Sequence, residues 1–152
     1  MPLLTKIHAL LVKVGQFLQS PVLLVIRLYW GWQFFVIGKA HLTYLSKTAS
    51  YFASLNIPMP KLNAIMAGST ECACGLLLLL GLFSRFASLA LICVMSVALW
   101  TAERQAVTHI FSDPDKFLAT DPFLFLYAAV LVFAFGPGKI AIDTLVFKDK
   151  AP

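Results

Sequence analysis

Four long apolar stretches dominate the chain, and more polar segments separate them. The stretches cover about residues 21–40, 62–82, 86–102 and 122–138. Each approaches the ~20 residues that a helix needs to cross the hydrocarbon core of a bilayer. Gly136-Pro137-Gly138 ends the last stretch, as is typical of a helix boundary. The pattern predicts an all-α integral membrane protein: a four-transmembrane-helix bundle in a single membrane domain over residues 1–152.

Two further segments are amphipathic rather than uniformly apolar. In residues 3–18, apolar side chains recur at helical spacing among lysines and glutamines. This predicts an N-terminal amphipathic helix that lies in the membrane interface and continues into the bilayer after Pro21. Lys13 interrupts the apolar run and no cleavage pattern follows, so we expect no cleaved signal peptide. Residues 42–56 carry one apolar face and two tyrosines, which predicts an interfacial helix between spans one and two.

Composition agrees with a membrane protein. The chain is 60% apolar and only 12% charged, whereas an ordinary soluble domain carries about 25% charged residues. Its net charge of +5 would suggest nucleic acid in a soluble protein, but no nucleic-acid-binding motif is present. Contact with anionic lipid headgroups explains the basic residues near the termini more simply. We therefore expect a lipid bilayer, and no nucleic acid, as a partner.

The distribution of basic residues indicates an orientation. Four spans place both termini on the same side, and the positive-inside rule assigns the more basic side to the cytoplasm. With cytoplasmic termini, the inner side has one more basic residue than the outer side, so we predict that both termini are cytoplasmic. The inner residues are Lys6, Lys13, Arg85, Lys139, Lys148 and Lys150, and the outer ones are Lys39, Lys47, Lys61, Arg104 and Lys116.

Two charged residues lie in the interior of predicted spans, away from the span ends: Arg27 in span one and Glu71 in span two. Measured from the same membrane side, they lie at depths of about 9 Å and about 16 Å at 1.5 Å per residue. A long arginine side chain covers the difference, so we predict that Arg27 contacts Glu71, with Gln33 nearly level with Glu71. Glycines 31, 38, 68 and 75 on the same helix faces favour close approach of the two spans.

The predicted pair has two interpretations that the sequence leaves open. Ionisable residues inside a membrane are usually functional, which favours a polar pocket for a ligand headgroup or a proton relay. An Arg–Glu pair can also neutralise itself, which favours a structural clamp between spans one and two. The sequence alone favours neither interpretation over the other.

The positions of the cysteines favour a packing role over a redox or metal-binding role. Cys72 and Cys74 lie about 200° apart around a helix axis, so they face different sides, and a disulfide between them would distort the helix. The favoured interpretation is that they are small packing residues. The alternative is a thiol or soft-metal role that draws on Met66, Cys93 or Met95. No nucleophile–base motif, phosphate loop, haem motif or zinc spacing is present.

A set of short motifs falls in one order and spacing along the chain, and this set resembles the DoxX family over about residues 20–145. The resemblance implies a small four-helix protein of the bacterial inner membrane. The family takes its name from a small subunit of a thiosulfate:quinone oxidoreductase, and other members are linked to thiol-redox and oxidative-stress complexes. The motifs are Arg27-x3-Gly31, Gly38-Lys39, Pro58-x-Pro60, Glu71-x3-Gly75-x-Leu77-Leu78-Leu79-x-Gly81, Arg85, Met95-x2-Ala98 and Gly136-Pro137-Gly138.

The resemblance also assigns residues. It implies that Arg27, Lys39, Glu71 and Arg85 occupy the family's charged positions, which makes them candidate ligand-binding residues together with Gln33. The Cys72-x-Cys74 pair departs from the family pattern and suggests a thiol or copper-related specialisation, with these two cysteines as the candidate metal ligands.

The leading functional hypothesis is a quinone-linked or thiol-redox membrane component of an oxidoreductase complex. Arg27 and Gln33 would donate hydrogen bonds to quinone carbonyls, and Glu71 would carry protons. We expect Trp30, Trp32, Phe34 and Phe35 to wall the pocket. Two alternatives stay open: a non-enzymatic membrane anchor or assembly partner, and a small-solute or copper-handling protein. Expected protein partners are subunits of a redox complex and further copies of this chain.

Overall fold

The computed structural model describes residues 2–147 and shows only helices, turns and loops in that range. This confirms the predicted all-helical class. Lys148 and Lys150, on which the predicted orientation partly depends, lie outside the described residues. The helices are α1 (Pro2–Thr43), α2 (Leu45–Ser54), α3 (Pro60–Leu80), α4 (Ser84–Thr101), α5 (Arg104–Thr108), α6 (Pro114–Leu118), α7 (Asp121–Phe135) and α8 (Ile142–Val146).

Three of these helices, α1, α3 and α4, are long and apolar enough to cross a membrane. The observed bounds of α3 and α4 lie within two residues of the predicted spans 62–82 and 86–102. Helix α7 has 15 residues, so it extends about 22 Å at 1.5 Å per residue. That is shorter than the ~30 Å hydrocarbon core, and the fourth span therefore stays a prediction.

Helix α1 runs unbroken for 42 residues with Pro21 inside it. The first helix therefore does not begin at Pro21, as the predicted span 21–40 does, whereas the interfacial placement of residues 3–18 stays a prediction. A proline in a helix removes one backbone hydrogen bond, and in this protein the chain after α7 contacts α1 beside the proline. Here the Lys139 amide donates to Ser20 Oγ at 3.0 Å, and Gly138 packs against Ser20 and Leu23. These contacts support α1 on both sides of Pro21.

The closest helix pair is α1 with α3, as the glycine pattern predicted. A Cβ atom on Gly38 would lie 2.5 Å from the Cys72 amide nitrogen, and one on Gly75 would lie 2.7 Å from the Phe35 amide nitrogen. No side chain fits at either position, because both neighbours are backbone atoms. Helices α4 and α7 pack against this pair, and the buried core between them includes Phe34, Leu78, Leu91, Phe125 and Val132.

The antiparallel arrangement creates two distinct ends of the bundle. One end, the Arg27 end, contains the α3–α4 turn and the chain that follows α7. The other, the cavity end, contains the C-terminal turns of α1 and α4 and the first turns of α3 and α7. Helix α2 confirms the helix predicted over residues 42–56, and it packs against α3 at the cavity end. Its placement at the membrane interface stays a prediction.

Candidate functional site

Arg27 is bound by the chain that follows α7. Its side chain is buried, with 1% of the residue exposed. Nη1 donates to the Pro137 carbonyl oxygen at 2.5 Å, and Nη2 donates to the Ile140 carbonyl oxygen at 3.0 Å. Gly81 lies so close that a Cβ there would be 2.7 Å from Nη1. Arg27 therefore connects α1 to the loop that follows α7.

Asp143 completes the Arg27 end, and sequence reasoning missed it. Its Oδ1 accepts from the Phe83 amide at 2.6 Å, and its Oδ2 accepts from the Ser84 amide at 2.8 Å. The first amides of a helix have no partner within the helix, so this buried carboxylate caps α4. The Asp143 amide in turn donates to the Gly81 carbonyl at 2.9 Å. The available signal was an acidic residue soon after the predicted turn at residues 136–138.

Glu71 pairs with His41, so the predicted Arg27–Glu71 contact is wrong. Glu71 Oε2 lies 2.7 Å from His41 Nδ1, and only 4% of the Glu71 side chain is exposed. The reason is helix register. A Cβ on Gly38 would lie 2.8 Å from the Glu71 Cβ, which places Glu71 level with Gly38 and one turn from His41. Arg27 instead leans the other way, toward the free carbonyls of residues 137 and 140.

The position of His41 could have been found from the glycine spacing. Gly31, Phe34, Gly38 and His41 follow each other at three- and four-residue intervals, so they share one face of α1. That face is the one predicted to meet α3. The glycines alone predicted the helix contact, and the same series continues to His41.

The His41–Glu71 pair lies in the wall of a cavity of about 560 Å³ at the cavity end. Helices α1, α2, α3, α4 and α7 all contribute to its lining. Most of the lining is aliphatic or aromatic, including Phe34, Phe52 and Phe125. The other lining residues with a polar oxygen or nitrogen are Tyr51, Asn63, Thr70, Thr101, Glu103 and Asp121, and no lysine or arginine of the described chain is among the lining residues.

Of the five candidate ligand-binding residues, only Glu71 lines this cavity. Arg27 lies at the opposite end of the bundle. Gln33 donates to the Tyr29 hydroxyl at 3.4 Å, Lys39 is exposed, and the Arg85 guanidinium lies beside Gly136. The structure therefore does not bring the five together, and ligand binding by the other four stays a prediction.

The aromatic residues predicted to wall a pocket are divided in the same way. Phe34 is buried and lines the cavity, whereas Trp32 is 56% exposed. Trp30 packs edge to face against Phe125 with ring centroids 4.8 Å apart. Trp30 therefore supports the cavity wall through Phe125 rather than forming it.

The three cysteines are free thiols in different surroundings. Cys72 Sγ donates to the Phe35 carbonyl at 3.5 Å, a weak contact across the α1–α3 interface. Cys74 packs against the hydrophobic core, and Cys93 is exposed at the cavity. Within residues 2–147, no group of three or more His, Cys, Asp or Glu side chains is placed to hold a metal ion. These contacts fit the packing interpretation of Cys72 and Cys74.

Comparison with known proteins gives the family. The family model described as DoxX matches residues 22–104, more than half of the chain. The chain belongs to the DoxX family. The match includes α2, α3, α4 and the second half of α1, and with them Arg27, His41 and Glu71. It ends before α7 and is therefore shorter than residues 20–145, over which the motifs resemble the family.

Similarity to individual proteins adds little beyond the DoxX assignment. An uncharacterized protein of Haemophilus influenzae is 26% identical over 136 residues, which cover 83% of this chain and 83% of that protein. No solved structure matches the chain significantly. DoxX membership and three long apolar helices together indicate a multi-pass integral membrane protein in contact with the lipid bilayer.

Proposed function

We propose that this DoxX-family protein binds a quinone headgroup in the His41–Glu71 cavity, as a membrane component of an oxidoreductase complex. The observation that carries the proposal is the 2.7 Å hydrogen bond between a histidine and a buried carboxylate in the wall of a mainly apolar cavity. Small-molecule sites are typically cavities of about 300–1,000 Å³ with a few polar groups in an apolar lining. A cavity of about 560 Å³ lies within that range.

The pair offers the hydrogen bonds that a quinone headgroup needs. His41 uses Nδ1 toward Glu71, and its Nε2 has no hydrogen-bond partner among residues 2–147. A protonated His41 donates from Nε2 to a quinone carbonyl, whereas a neutral one with its proton on Nδ1 accepts from a hydroxyl. The aromatic lining residues Phe34, Phe52 and Phe125 supply apolar contact for the ring.

We also propose that α7 forms a fourth span, with both termini on the cytoplasmic side of the bacterial inner membrane. Support comes from the two faces of α7. Phe125, Ala128, Ala129 and Val132 are buried against the bundle. The opposite face is exposed and apolar, as a lipid-facing surface is, and carries Leu124, Tyr127, Val130 and Phe133.

The binding proposal is tested with the purified protein in detergent and a short-chain ubiquinone. Trp30 contacts Phe125 in the cavity wall, so we expect saturable quenching of tryptophan fluorescence. His41→Phe removes a polar partner and is expected to weaken binding about tenfold or more, the effect of roughly 1.4 kcal/mol. The matched control is His109→Phe, because His109 is exposed and outside the cavity. Absence of saturable binding, or equal binding by both variants, contradicts the proposal.

A second candidate function, as an assembly partner, has support from the first part of α1. All side chains of residues 3–18 are exposed, and nine of them are large and apolar. A partner protein in the membrane would cover this surface. We therefore expect deletion of residues 3–14 to convert a larger complex in native membranes into the lone chain, as measured by native electrophoresis. A wild-type protein that already migrates as the lone chain removes this candidate.

A further inference from the structure

We propose that the cavity selects the reduced form of its ligand, a hydroquinone, over the oxidised quinone. The inference rests on the proposed quinone site and adds a redox-state preference to it. It follows from which hydrogen-bonding atoms the cavity leaves without a partner. The first of these is Glu71 Oε1.

One of the two carboxylate oxygens of Glu71 is available to a ligand. Oε2 is engaged by His41 at 2.7 Å, and 4% of the Glu71 side chain is exposed. Oε1 accepts no hydrogen bond from any residue between 2 and 147, and the residue lines the cavity. Oε1 is not fully buried, because it is accessible from the cavity. A charged oxygen in a mainly apolar cavity forms stronger hydrogen bonds than a neutral one does, and an O–H or N–H group of a ligand would supply the donor.

The remaining polar lining points to the same ligand chemistry. Glu103 and Asp121 add two further carboxylates, and the basic lining group among the described residues is His41. The Asn63 side-chain amide already donates to the Pro58 carbonyl at 2.6 Å. With His41 neutral and its proton on Nδ1, Nε2 is also an acceptor. The hydroxyl groups of Tyr51, Thr70 and Thr101 are further donors, and that of Thr101 already donates to the Val97 carbonyl at 2.7 Å. The three carboxylates still supply more acceptor atoms than the lining supplies free donors, which disfavours anionic ligands and ligands that carry acceptors alone.

The two redox forms differ in this respect. A quinone presents two carbonyl oxygens, which are acceptors and repel Glu71 Oε1. A hydroquinone presents two hydroxyl groups, each of which donates. The same apolar ring contacts Phe34 and Phe125 in both forms, so the difference in affinity comes from the polar contacts. One hydrogen bond to a charged group corresponds to a preference of about ten- to a hundredfold.

The test compares, within each of two pairs, a ligand that carries hydroxyl hydrogens with one that has none. Binding of 2,3,5-trimethylphenol and of its methyl ether is measured by calorimetry, because neither compound changes redox state. Durohydroquinone and duroquinone are compared in the same way without oxygen. We expect the phenol and the hydroquinone to bind at least about tenfold more tightly than their counterparts. Glu71→Gln should reduce both ratios, and Asp115→Asn, exposed and outside the cavity, should leave them unchanged.

Each of the other possible results has a different consequence for the two proposals. Equal or tighter binding of duroquinone overturns the redox-state preference but leaves the quinone site. Binding of none of the four compounds overturns the proposed function, and the preference with it. Tighter binding of 2,4,6-trimethylbenzylamine than of the phenol makes the cavity a cation site and also overturns the preference. If Glu71→Gln does not fold, infrared difference spectra of the wild-type protein decide: phenol binding must shift a carboxylate band, and an unshifted spectrum overturns the inference.

Discussion

The carboxylate of Asp143 holds the first turn of α4 through the Ser84 amide, 59 residues earlier in the chain, at 2.8 Å. Its other oxygen accepts from the Phe83 amide at 2.6 Å. The amides at the start of a helix have no internal partner, and leaving them buried and unpaired is costly. The first turn of α8 therefore holds the turn between α3 and α4.

Removing this cap should destabilise the bundle. Asp143→Ala is expected to lower the free energy of unfolding by about 1.5–3 kcal/mol, the usual contribution of hydrogen bonds to a charged group. Asp143→Asn should cost less, because its amide keeps one acceptor oxygen. Thermal unfolding in detergent measures both. Asp113→Ala is the control, since Asp113 caps the five-residue α6 from an exposed position. Equal losses for Asp143→Ala and Asp113→Ala would show that the buried cap has no special role.

Double-mutant cycles should separate the two polar clusters. Arg27 and Glu71 have different partners, so the losses from Arg27→Met and Glu71→Gln should add to within about 0.5 kcal/mol. His41 and Glu71 share a hydrogen bond, so His41→Phe and Glu71→Gln should show a coupling energy of about 0.5–3 kcal/mol. Unfolding of the single and double variants in the same detergent gives both values. Strong coupling of Arg27 with Glu71 would contradict the observed helix register.

The α1–α3 contact should not tolerate a methyl group. Gly38→Ala places a Cβ 2.5 Å from the Cys72 amide nitrogen, so the backbones must separate, and overpacking of this kind costs about 1–3 kcal/mol. Gly15 lies in the same helix with nothing within 4 Å of an added Cβ. Gly15→Ala should therefore be neutral or stabilise the protein by up to about 1 kcal/mol. The midpoint of thermal unfolding should fall for the first variant alone, and a fall for both would contradict the close approach.

The cysteines should prove replaceable. Cys72→Ala combined with Cys74→Ala removes one weak Sγ contact with the Phe35 carbonyl and some packing near the core, so we expect a loss of about 1 kcal/mol per residue at most. Expression, thermal stability and copper binding by equilibrium dialysis are the measurements. A double variant that folds normally but loses copper binding or oxidant resistance would support the metal or thiol role instead.

Reporter fusions should test the four-span topology. A reporter fused at residue 111, in the exposed turn between α5 and α6, and one fused after residue 152 are expected in opposite compartments, with the second in the cytoplasm. An odd number of spans separates these two positions if α7 crosses the membrane. The same compartment for both would show that α7 does not cross.

Sequence alone determined the long apolar helices α3 and α4 and one helix–helix contact. Runs of apolar residues partition into lipid, and a backbone in lipid must satisfy its own hydrogen bonds, so the runs become helices whatever surrounds them. This is why α3 and α4 were predicted to within two residues. Glycines at helical spacing likewise marked the α1–α3 contact, because a face without side chains is a local property that the spacing shows directly.

Tertiary structure decided which polar groups meet. Depth along two helices suggested that Arg27 reaches Glu71, but the side chain leans instead toward carbonyls at residues 137 and 140, more than a hundred residues away. The register of α1 on α3 places Glu71 within hydrogen-bond distance of His41. Periodicity places His41 on the α1 face that meets α3, but it does not determine which α3 residue His41 meets, because a buried polar group takes the partner that packing brings within hydrogen-bond distance. The cavity, formed by five separate helices, exists only once they have packed.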